Sequence, residues 1–188
     1  MSSPRVLSLP GVGFGAVRAQ VRQFVWRDGI RVVEVGSPQK VAPYSLAIEA
    51  EVPRRGRDIA SGRLIVLHDP AGNDGWQGEY RCVSYAEADV DTAMATDPLL
   101  VDVGWAWLTD ALRRAGCSCT AESGTVTTIN GRSFGGLADQ PDRAEIEIRC
   151  SWTPLFDGPP DLRPHLEAWQ DLLCLVAGLP PVGTVALG

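Results

Sequence analysis

The most chemically suggestive segment of the chain is His68-Asp69-Pro70-Ala71-Gly72, which combines a histidine and a carboxylate with turn-forming residues. A histidine titrates near neutral pH, so His68 and Asp69 could form a catalytic or metal-binding group at a strand end. Asp, Pro and Gly at these spacings are also the preferred residues of a type I β-turn, in which the Asp69 carboxylate bonds backbone N–H groups. We therefore expect a turn, and we retain His68 and Asp69 as the candidate catalytic residues.

Three further carboxylates, Glu87, Asp89 and Asp91, alternate along a predicted strand. They would share one face at spacings of about 7 Å, close enough to flank a divalent cation. An exposed edge strand that uses charge to prevent the addition of another strand explains the same row more simply. We therefore predict that the row binds no metal. It remains part of the alternative in which His68 and these carboxylates form one enzyme or ligand site.

The remaining motifs favour a structural role over cofactor chemistry. Cys117 and Cys119 are separated by one residue and would share a strand face, a geometry seldom used for zinc, and no second Cys or His pair follows at zinc spacing. The Gly11-x-Gly13-x-Gly15 motif opens a predicted helix, but it follows no strand and lacks the lysine of a phosphate-binding loop. We therefore predict a protein without a metal ion or cofactor.

Aromatic residues are the best indication of a binding surface in this sequence. The chain contains six tryptophans. Trp105 and Trp107 share a predicted helix and lie about 200° apart around its axis, so Trp107 should leave the stripe that buries Trp105. Trp76 and Phe134 fall in predicted loops. Large aromatic side chains off the core commonly anchor a partner, so Trp76, Trp107 and Phe134 are the candidate binding residues, although Trp76 and Trp107 could instead form a satellite cluster over a hairpin.

Hydrophobic periodicity predicts the helices and strands that would position these residues. The predicted helices span about 12–27, 97–115 and 162–177. The predicted strands span 30–35, 44–52, 60–68, 78–91, 118–129 and 144–152, and the segment 60–68 is apolar enough to be central and buried on both faces. Consecutive strands without intervening helices pair antiparallel, so the fold class is α+β, with a single antiparallel sheet of five or six strands and three helices. This element order is similar to that of type III secretion chaperone-like folds.

The second predicted helix has the clearest end signals. Asp97 is expected at the N-cap with Pro98 in the first turn, and Gly116 is expected just after the last turn. Gly104 should weaken the helix by about 1 kcal/mol. The inward stripe is predicted to consist of Val101, Trp105, Leu108, Leu112 and Ala115.

Length and composition bound the remaining possibilities. A chain of 188 residues suits one domain spanning 1–188, with ends at 1–10 and 180–188 that we expect to be flexible. The net charge of −6 repels a phosphate backbone and disfavours direct nucleic-acid binding. The chain has neither a recognisable signal peptide nor an apolar run long enough to cross a membrane. Five scattered cysteines are expected to be free thiols in a cytoplasmic protein.

Several short segments carry a resemblance to a known family. They are Pro38-Gln39 with Ala42-Pro43-Tyr44, Leu67-His68-Asp69-Pro70 with Gly72 and Trp76, Asp97-Pro98-Leu99-Leu100 followed by Val103-Gly104-Trp105-x-Trp107-Leu108, Gly124-Thr125-Val126-Thr127, Phe134-Gly135-Gly136-Leu137, Ser151-Trp152-Thr153-Pro154 and His165-Leu166-x-Ala168-Trp169. With them the chain resembles an actinobacterial domain family of unknown function, numbered three thousand, over most of residues 38–170. The resemblance implies no activity. Because genes of that family lie near one for a ribonuclease D-like protein, it does imply a partner in RNA processing.

Three interpretations remain open from the sequence. The favoured one is a non-enzymatic binding or adaptor protein, monomeric or homodimeric, that meets a protein partner through an aromatic surface. The second is an enzyme with a site near His68 and the acidic strand Glu87–Asp91. The third is a small-ligand sensor, with its pocket there or under the Phe134-Gly135-Gly136 loop. A pocket that joins His68 to several carboxylates would favour the second, and a broad apolar patch would favour the first.

Overall fold

A six-stranded antiparallel sheet forms the centre of the fold. The computed structural model describes residues 12–54 and 56–180, without the side chains at 12, 54, 57 and 58. Gly11 and the predicted flexible ends, apart from residue 180, therefore lie outside the described residues. The strands are β1 Arg31–Val35, β2 Tyr44–Arg54, β3 Arg57–Asn73, β4 Gly78–Asp89, β5 Cys119–Gly131 and β6 Arg143–Pro154. The described helices are α1 Val12–Gln23, α2 Thr92–Ala95, α3 Leu100–Arg114 and α4 Arg163–Val176, and a 3₁₀ turn spans Gly135–Leu137.

The strands lie in the order β1-β2-β3-β4-β6-β5, so β6 inserts between β4 and β5. The predicted α+β class with a single antiparallel sheet is confirmed. The strand at 60–68 is central as predicted. The prediction that it is buried on both faces is wrong, because Arg63 and Ile65 on its outer face are partly exposed. The edge interpretation of the acidic row is wrong, because β4 pairs with a strand on each side. On the outer face Glu87 lies opposite Glu147, and Asp89 lies opposite Glu145.

One face of the sheet is covered by helices and forms the core. Alternate residues of every central strand point to this inner face, and α4 packs over β3 and β4 with α1 and α3 as neighbours. Gly62 allows α4 to approach closely, because a Cβ there would lie 2.4 Å from Leu173 Cδ2. The Trp169 indole Nε1–H donates to Ser84 Oγ at 3.0 Å, so the buried indole donor has a hydrogen-bond acceptor within the core. The fold thus has an inner apolar face and an outer polar face.

The first helix ends earlier than predicted. α1 stops at Gln23 instead of residue 27. The helical spacing of Phe14, Val17, Val21, Phe24 and Val25 predicts one apolar face. Phe14, Val17 and Val21 are buried, whereas Val25 lies beyond the helix and is 88% exposed. The chain then turns at Gly29, whose φ of +89° suits glycine.

The buried face of α3 differs from the prediction, and so does the expected N-cap at Asp97. The interruption at Gly104 also predicts a separate turn at 97–100 before the helix proper near Asp102. The structure has a turn there, in which Asp97 accepts the Leu99 N–H at 2.9 Å, and the helix begins at Leu100. Val101 is exposed, and Gly104 is buried within the true stripe because it faces the sheet. The predicted end is confirmed: Gly116 has φ +70°, and Cys117 N–H donates to Leu112 O at 3.0 Å.

Among the described residues, no helix combines the length and the apolar composition that crossing a membrane requires.

Candidate functional site

The residues of the predicted enzyme site lie at opposite ends of the sheet. His68 on β3 lies opposite Tyr80 on β4, whereas Ala60 on β3 lies opposite Ala88, next to Glu87 and Asp89. The eight residue steps from Ala60 to His68 span about 26 Å of strand. The structure therefore does not bring His68 together with the acidic row.

His68 is a packed core residue. Its ring stacks on Tyr80, with centroids 4.1 Å apart and planes at 9°, and it contacts the rings of Phe14 and Tyr44 at 5.8 and 5.6 Å. Burial lowers the pKa of His68, while the carboxylates of Glu79 and Asp69 oppose that shift. The His68 Nδ1 atom is buried without a hydrogen-bond partner among the described residues. This environment favours the neutral imidazole, and the Glu79 Oε2 atom lies 4.0 Å from Nε2, beyond hydrogen-bond distance.

The chain does not reverse direction at Asp69–Gly72, so the predicted turn is misplaced. The reversal lies at 73–78, where Asn73 O accepts the Trp76 N–H at 3.0 Å and Asn73 Oδ1 accepts the Gly75 N–H at 2.9 Å. This later turn is preferred because the Asn73 side chain and backbone both stabilise it. The predicted Asp69 bond is present, since its carboxylate accepts the Ala71 N–H at 3.0 Å. Trp76 sits half-buried in the real turn, and its carbonyl accepts a hydrogen bond from the Thr153 hydroxyl.

Trp107 lines a cavity of about 570 Å³ at the other end of the sheet. We call it the Trp107 cavity. Four elements form it: the start of β3, the end of β4 with the following turn into α2, the middle of α3, and the end of α4. Its lining residues are Ile59, Asp89, Val90, Asp91, Met94, Trp107, Leu175, Val176, Ala177 and Gly178.

Local contacts explain why these elements converge. α3 and α4 pack side by side, and Arg114 Nη2 lies 3.7 Å from Asp171 Oδ2 across the pair. α4 stops at Gly178, where φ is +69° and Leu179 N–H donates to Cys174 O at 2.7 Å. Gly178 followed by Leu179 and Pro180 in the sequence predicts this Schellman-type stop. Val90 is fixed on the opposite wall because its N–H donates to Ala144 O at 3.0 Å.

The electrostatics of the Trp107 cavity are one-sided. Asp89 and Asp91 supply carboxylates, and the C-terminal end of α4 contributes the negative end of a helix dipole. Among the described residues that line the cavity, none is basic, and none is a His, Cys, Ser or Thr. The arrangement can therefore cover an apolar group, and the carboxylates are its main reactive groups among the described lining residues.

Further apolar side chains are exposed at the same end of the molecule. α2 packs against β5 and β6, near the loop that joins these strands. In this region Met94 is 41% exposed, Leu99 63% and Phe134 74%. Phe134 does not line the Trp107 cavity, and Trp76 lies at the far end of the sheet. Of the three predicted binding residues, only Trp107 thus lines the same cavity as Asp89 and Asp91.

Cys117 and Cys119 are arranged differently from the prediction. Cys117 precedes β5, so it does not share a strand face with Cys119 as was predicted. Burial raises the pKa of both thiols to about 12, which keeps them protonated at neutral pH. Within the part of the chain that the structure describes, no group of three or more His, Cys, Asp or Glu residues could hold a metal ion.

Sequence reasoning missed Met94 and the end of α4 as parts of a site. α2 has only four residues, too few for a periodic pattern to reveal. Asp91 was assigned to a strand face, but it lies beyond β4 and precedes α2.

The family model described as "Protein of unknown function (DUF3000)" matches residues 11–186. The chain belongs to this family. The resemblance carried by the short motifs is therefore confirmed, and the match extends beyond residues 38–170 in both directions. No curated protein and no solved structure matches the chain.

Proposed function

We propose that this DUF3000 protein is a non-enzymatic binding or adaptor protein, and that a protein partner docks over the Trp107 cavity. The observation that carries the proposal is the convergence of Trp107, Met94 and two aspartates around one open volume of about 570 Å³. A volume of that size is in the range of pockets that bind ligands. A tryptophan in such a setting is a typical anchor of a protein interface.

The surroundings of the cavity support a macromolecular partner more than a small ligand. Leu99 and Phe134 are large exposed apolar residues at the same end of the molecule. Apolar surface next to a pocket with a polar rim is characteristic of interaction sites. Trp107 would fill the centre of the interface, and Leu99 and Phe134 would lie towards its margin.

Finer features of this role remain predictions. The similarity of the element order to type III secretion chaperone-like folds is compatible with an adaptor, as is the RNA-processing partner implied by gene neighbourhood. A cytoplasmic location and a monomeric or homodimeric state are proposed with them.

The test compares variants at the two ends of the sheet. Met94→Lys changes the cavity wall at a partly exposed position, and Trp107→Ala removes the anchor. Both should abolish complementation of a deletion strain while the purified variants stay folded in thermal unfolding. Trp76→Ala is the matched control, because it removes a half-buried tryptophan far from the cavity. For Trp107→Ala we expect partner binding to weaken by at least about 30-fold, which corresponds to about 2 kcal/mol.

A different result would favour a site near His68 over the Trp107 cavity. His68→Phe preserves the stacking on Tyr80 but removes the imidazole nitrogens. If His68→Phe lost the cellular role at unchanged stability while Met94→Lys retained it, the site would be an enzyme or sensor site near His68.

A further inference from the structure

We propose that a second copy of this chain adds to the edge of β5, strand against strand and antiparallel, and forms a two-fold dimer with one continuous sheet. The dimer surface differs from the Trp107 cavity and does not depend on the partner proposed there. Three features of the molecule support it: the exposed edge of β5, the sequence of that strand, and the side of α3 that packs on it.

β5 is an edge strand with a long regular segment. Among the described strands it has a neighbour on one side only, and that neighbour is β6. After the irregular part near Thr120, its register with β6 is unbroken from Ser123 to Gly131. Ser123, Thr125 and Thr127 are exposed. The strand therefore presents a row of backbone N–H and C=O groups to which another strand can be added.

The sequence of this edge lacks the features that usually prevent such pairing. Residues 123–131 read SGTVTTING and contain no charged residue and no proline. The opposite edge strand, β1, has only five residues, and Glu34 within it pairs with Arg18 and Arg22 of α1. Soluble proteins commonly shorten, charge or cover an edge strand. The difference between the two edges favours β5 as the place where a strand is added.

β5 is complementary to itself in one antiparallel register. A two-fold axis at Thr127 places this residue opposite its own copy, and it places Thr125 opposite Ile129 of the second copy. Pairs of threonine and β-branched residues stabilise neighbouring strands. The same register puts Glu122, just before the regular segment, opposite Arg132, just after it, at both ends of the pair. This match of opposite charges favours a second copy over an unrelated strand, and moving the axis by one residue would remove it.

Glu122 and Arg132 can make this contact in addition to those within the chain. The Arg132 side chain is 72% exposed, and its Nε lies 3.6 Å from Asp142 Oδ2. Glu122 is exposed, and its Oε1 accepts the weak Cys119 S–H donor at 3.1 Å. A guanidinium has five N–H donors and a carboxylate has two acceptor oxygens, so each group has capacity for a further partner.

α3 provides apolar surface beside the same edge. A Cβ at Gly124 would lie 2.9 Å from Trp105 Cζ3, so the Trp105 ring packs directly on β5. Trp105 is only half-buried, and Val101, one turn earlier on the same side of α3, is 36% exposed. A strand from a second copy, with its own α3 above it, would cover part of this surface. The dimer thus combines backbone hydrogen bonds with apolar contacts.

The experiment measures self-association of the full chain by sedimentation equilibrium over a series of concentrations. We expect a monomer–dimer equilibrium whose upper limit is twice the chain mass of 20.2 kDa. Arg132→Glu and Glu122→Arg each place like charges opposite one another at both ends of the pair. Each should raise the dissociation constant of the dimer at least about tenfold. The double variant restores opposite charges and should recover most of the lost affinity.

Recovery in the double variant identifies a contact between copies. Glu122 and Arg132 lie about 30 Å apart along the strand of one chain, so they cannot meet within it. Lys40→Glu is the matched control, because it makes the same charge reversal at an exposed position in the loop between β1 and β2, on the other side of the sheet. Its dissociation constant should equal that of the unmodified chain. Thermal unfolding checks that every variant is folded.

Three results would overturn the inference. The first is a chain that stays monomeric at every concentration, which would leave only a different protein as the source of an added strand. The second is a dimer that Arg132→Glu leaves intact and that Val33→Lys, at a 59% exposed position of β1, weakens. The third is a double variant that recovers none of the affinity lost in the two single variants. None of these results bears on the Trp107 cavity, which complementation by Met94→Lys and Trp107→Ala tests separately.

Discussion

Arg81 on the outer face of β4 holds together the three strands β4, β6 and β5. Its side chain is only 8% exposed, and it donates to Thr153 Oγ1, Ser151 Oγ, Ser123 Oγ and Ala121 O at 2.6–3.0 Å. The last acceptor lies in the irregular part of β5, between Thr120 and Ser123, where Ala121 has a φ of +54°. The guanidinium thus satisfies a backbone carbonyl that the sheet ladder leaves without a strand partner.

We predict that Arg81→Lys lowers the free energy of unfolding by about 2 kcal/mol. A lysine cannot reach four acceptors with the fixed planar fork of a guanidinium, so buried oxygen atoms lose their donors. Urea unfolding measures the change. Arg149→Lys is the control, because Arg149 lies on the same face but is exposed and pairs with Glu147. Equal losses in the two variants would contradict the assigned role.

His165 makes stability depend on pH. Burial lowers its pKa to about 4 from an ordinary value of 6.5, and its Nδ1 accepts the Trp152 Nε1–H at 3.0 Å. The folded pKa of His165 lies below its unfolded pKa. The neutral, buried His165 therefore contributes its full stabilisation above pH 6.5, and this stabilisation is lost as the pH falls to 4. The full difference corresponds to about 3 kcal/mol.

We therefore predict that His165→Asn flattens the stability profile in that window. The asparagine Oδ1 can still accept the Trp152 indole hydrogen, but it does not titrate. Chemical unfolding between pH 7 and 4.5 should show a smaller loss of free energy in the variant than in the unmodified chain. Parallel profiles would show that His165 is not the group responsible.

At the scale of elements, two helical glycines behave oppositely although they look alike in the sequence. Gly15 in α1 faces open space, whereas a Cβ at Gly104 in α3 would lie 2.9 Å from Val126 Cγ1. Gly15→Ala should therefore stabilise the protein by about 0.5–1 kcal/mol through helix propensity. Gly104→Ala should destabilise it by about 1–3 kcal/mol, because overpacking exceeds the same gain. Thermal unfolding of both variants tests the difference, and stabilisation by Gly104→Ala would show that α3 can move off the sheet.

Periodicity predicted most strands because their buried residues alternate, as at Ile146, Ile148 and Cys150 in β6. It failed where tertiary packing decides. From the sequence alone, Gly104 is expected only to weaken the helix. In the structure it allows α3 to pack closely on the sheet. The insertion of β6 between β4 and β5, which makes the acidic strand central, depends on pairing between segments far apart in the chain.

The candidate site was only partly predictable for the same reason. The sequence named Trp107 for its angular offset from a buried Trp105, but that argument is wrong because both tryptophans are half-buried against the core. Asp89, Asp91 and Met94 line a cavity with Trp107 only because α2, α3 and α4 converge. His68 was a plausible catalytic residue by type, and its burial among aromatic rings could not be deduced from its neighbours in the chain.

For the whole molecule, we predict that stability is independent of metal ions. Folding rests on one apolar core on the inner face of the sheet, and the described residues contain no metal-binding cluster. Treatment with EDTA should leave the melting temperature unchanged within error. A fall of several degrees that zinc or calcium restores would reject this prediction.

The central position of α4 has a consequence for biosynthesis. Nine of its 14 residues are buried, and it packs over β3 and β4, strands made much earlier in translation. A nascent chain that has emerged as far as β6 therefore carries all six described strands, with their apolar face uncovered where α4 will pack. Ribosome stalling or premature termination at that stage would yield an aggregation-prone chain that requires a chaperone to remain soluble. Full-length chains escape this hazard once the segment 163–176 emerges and closes the core.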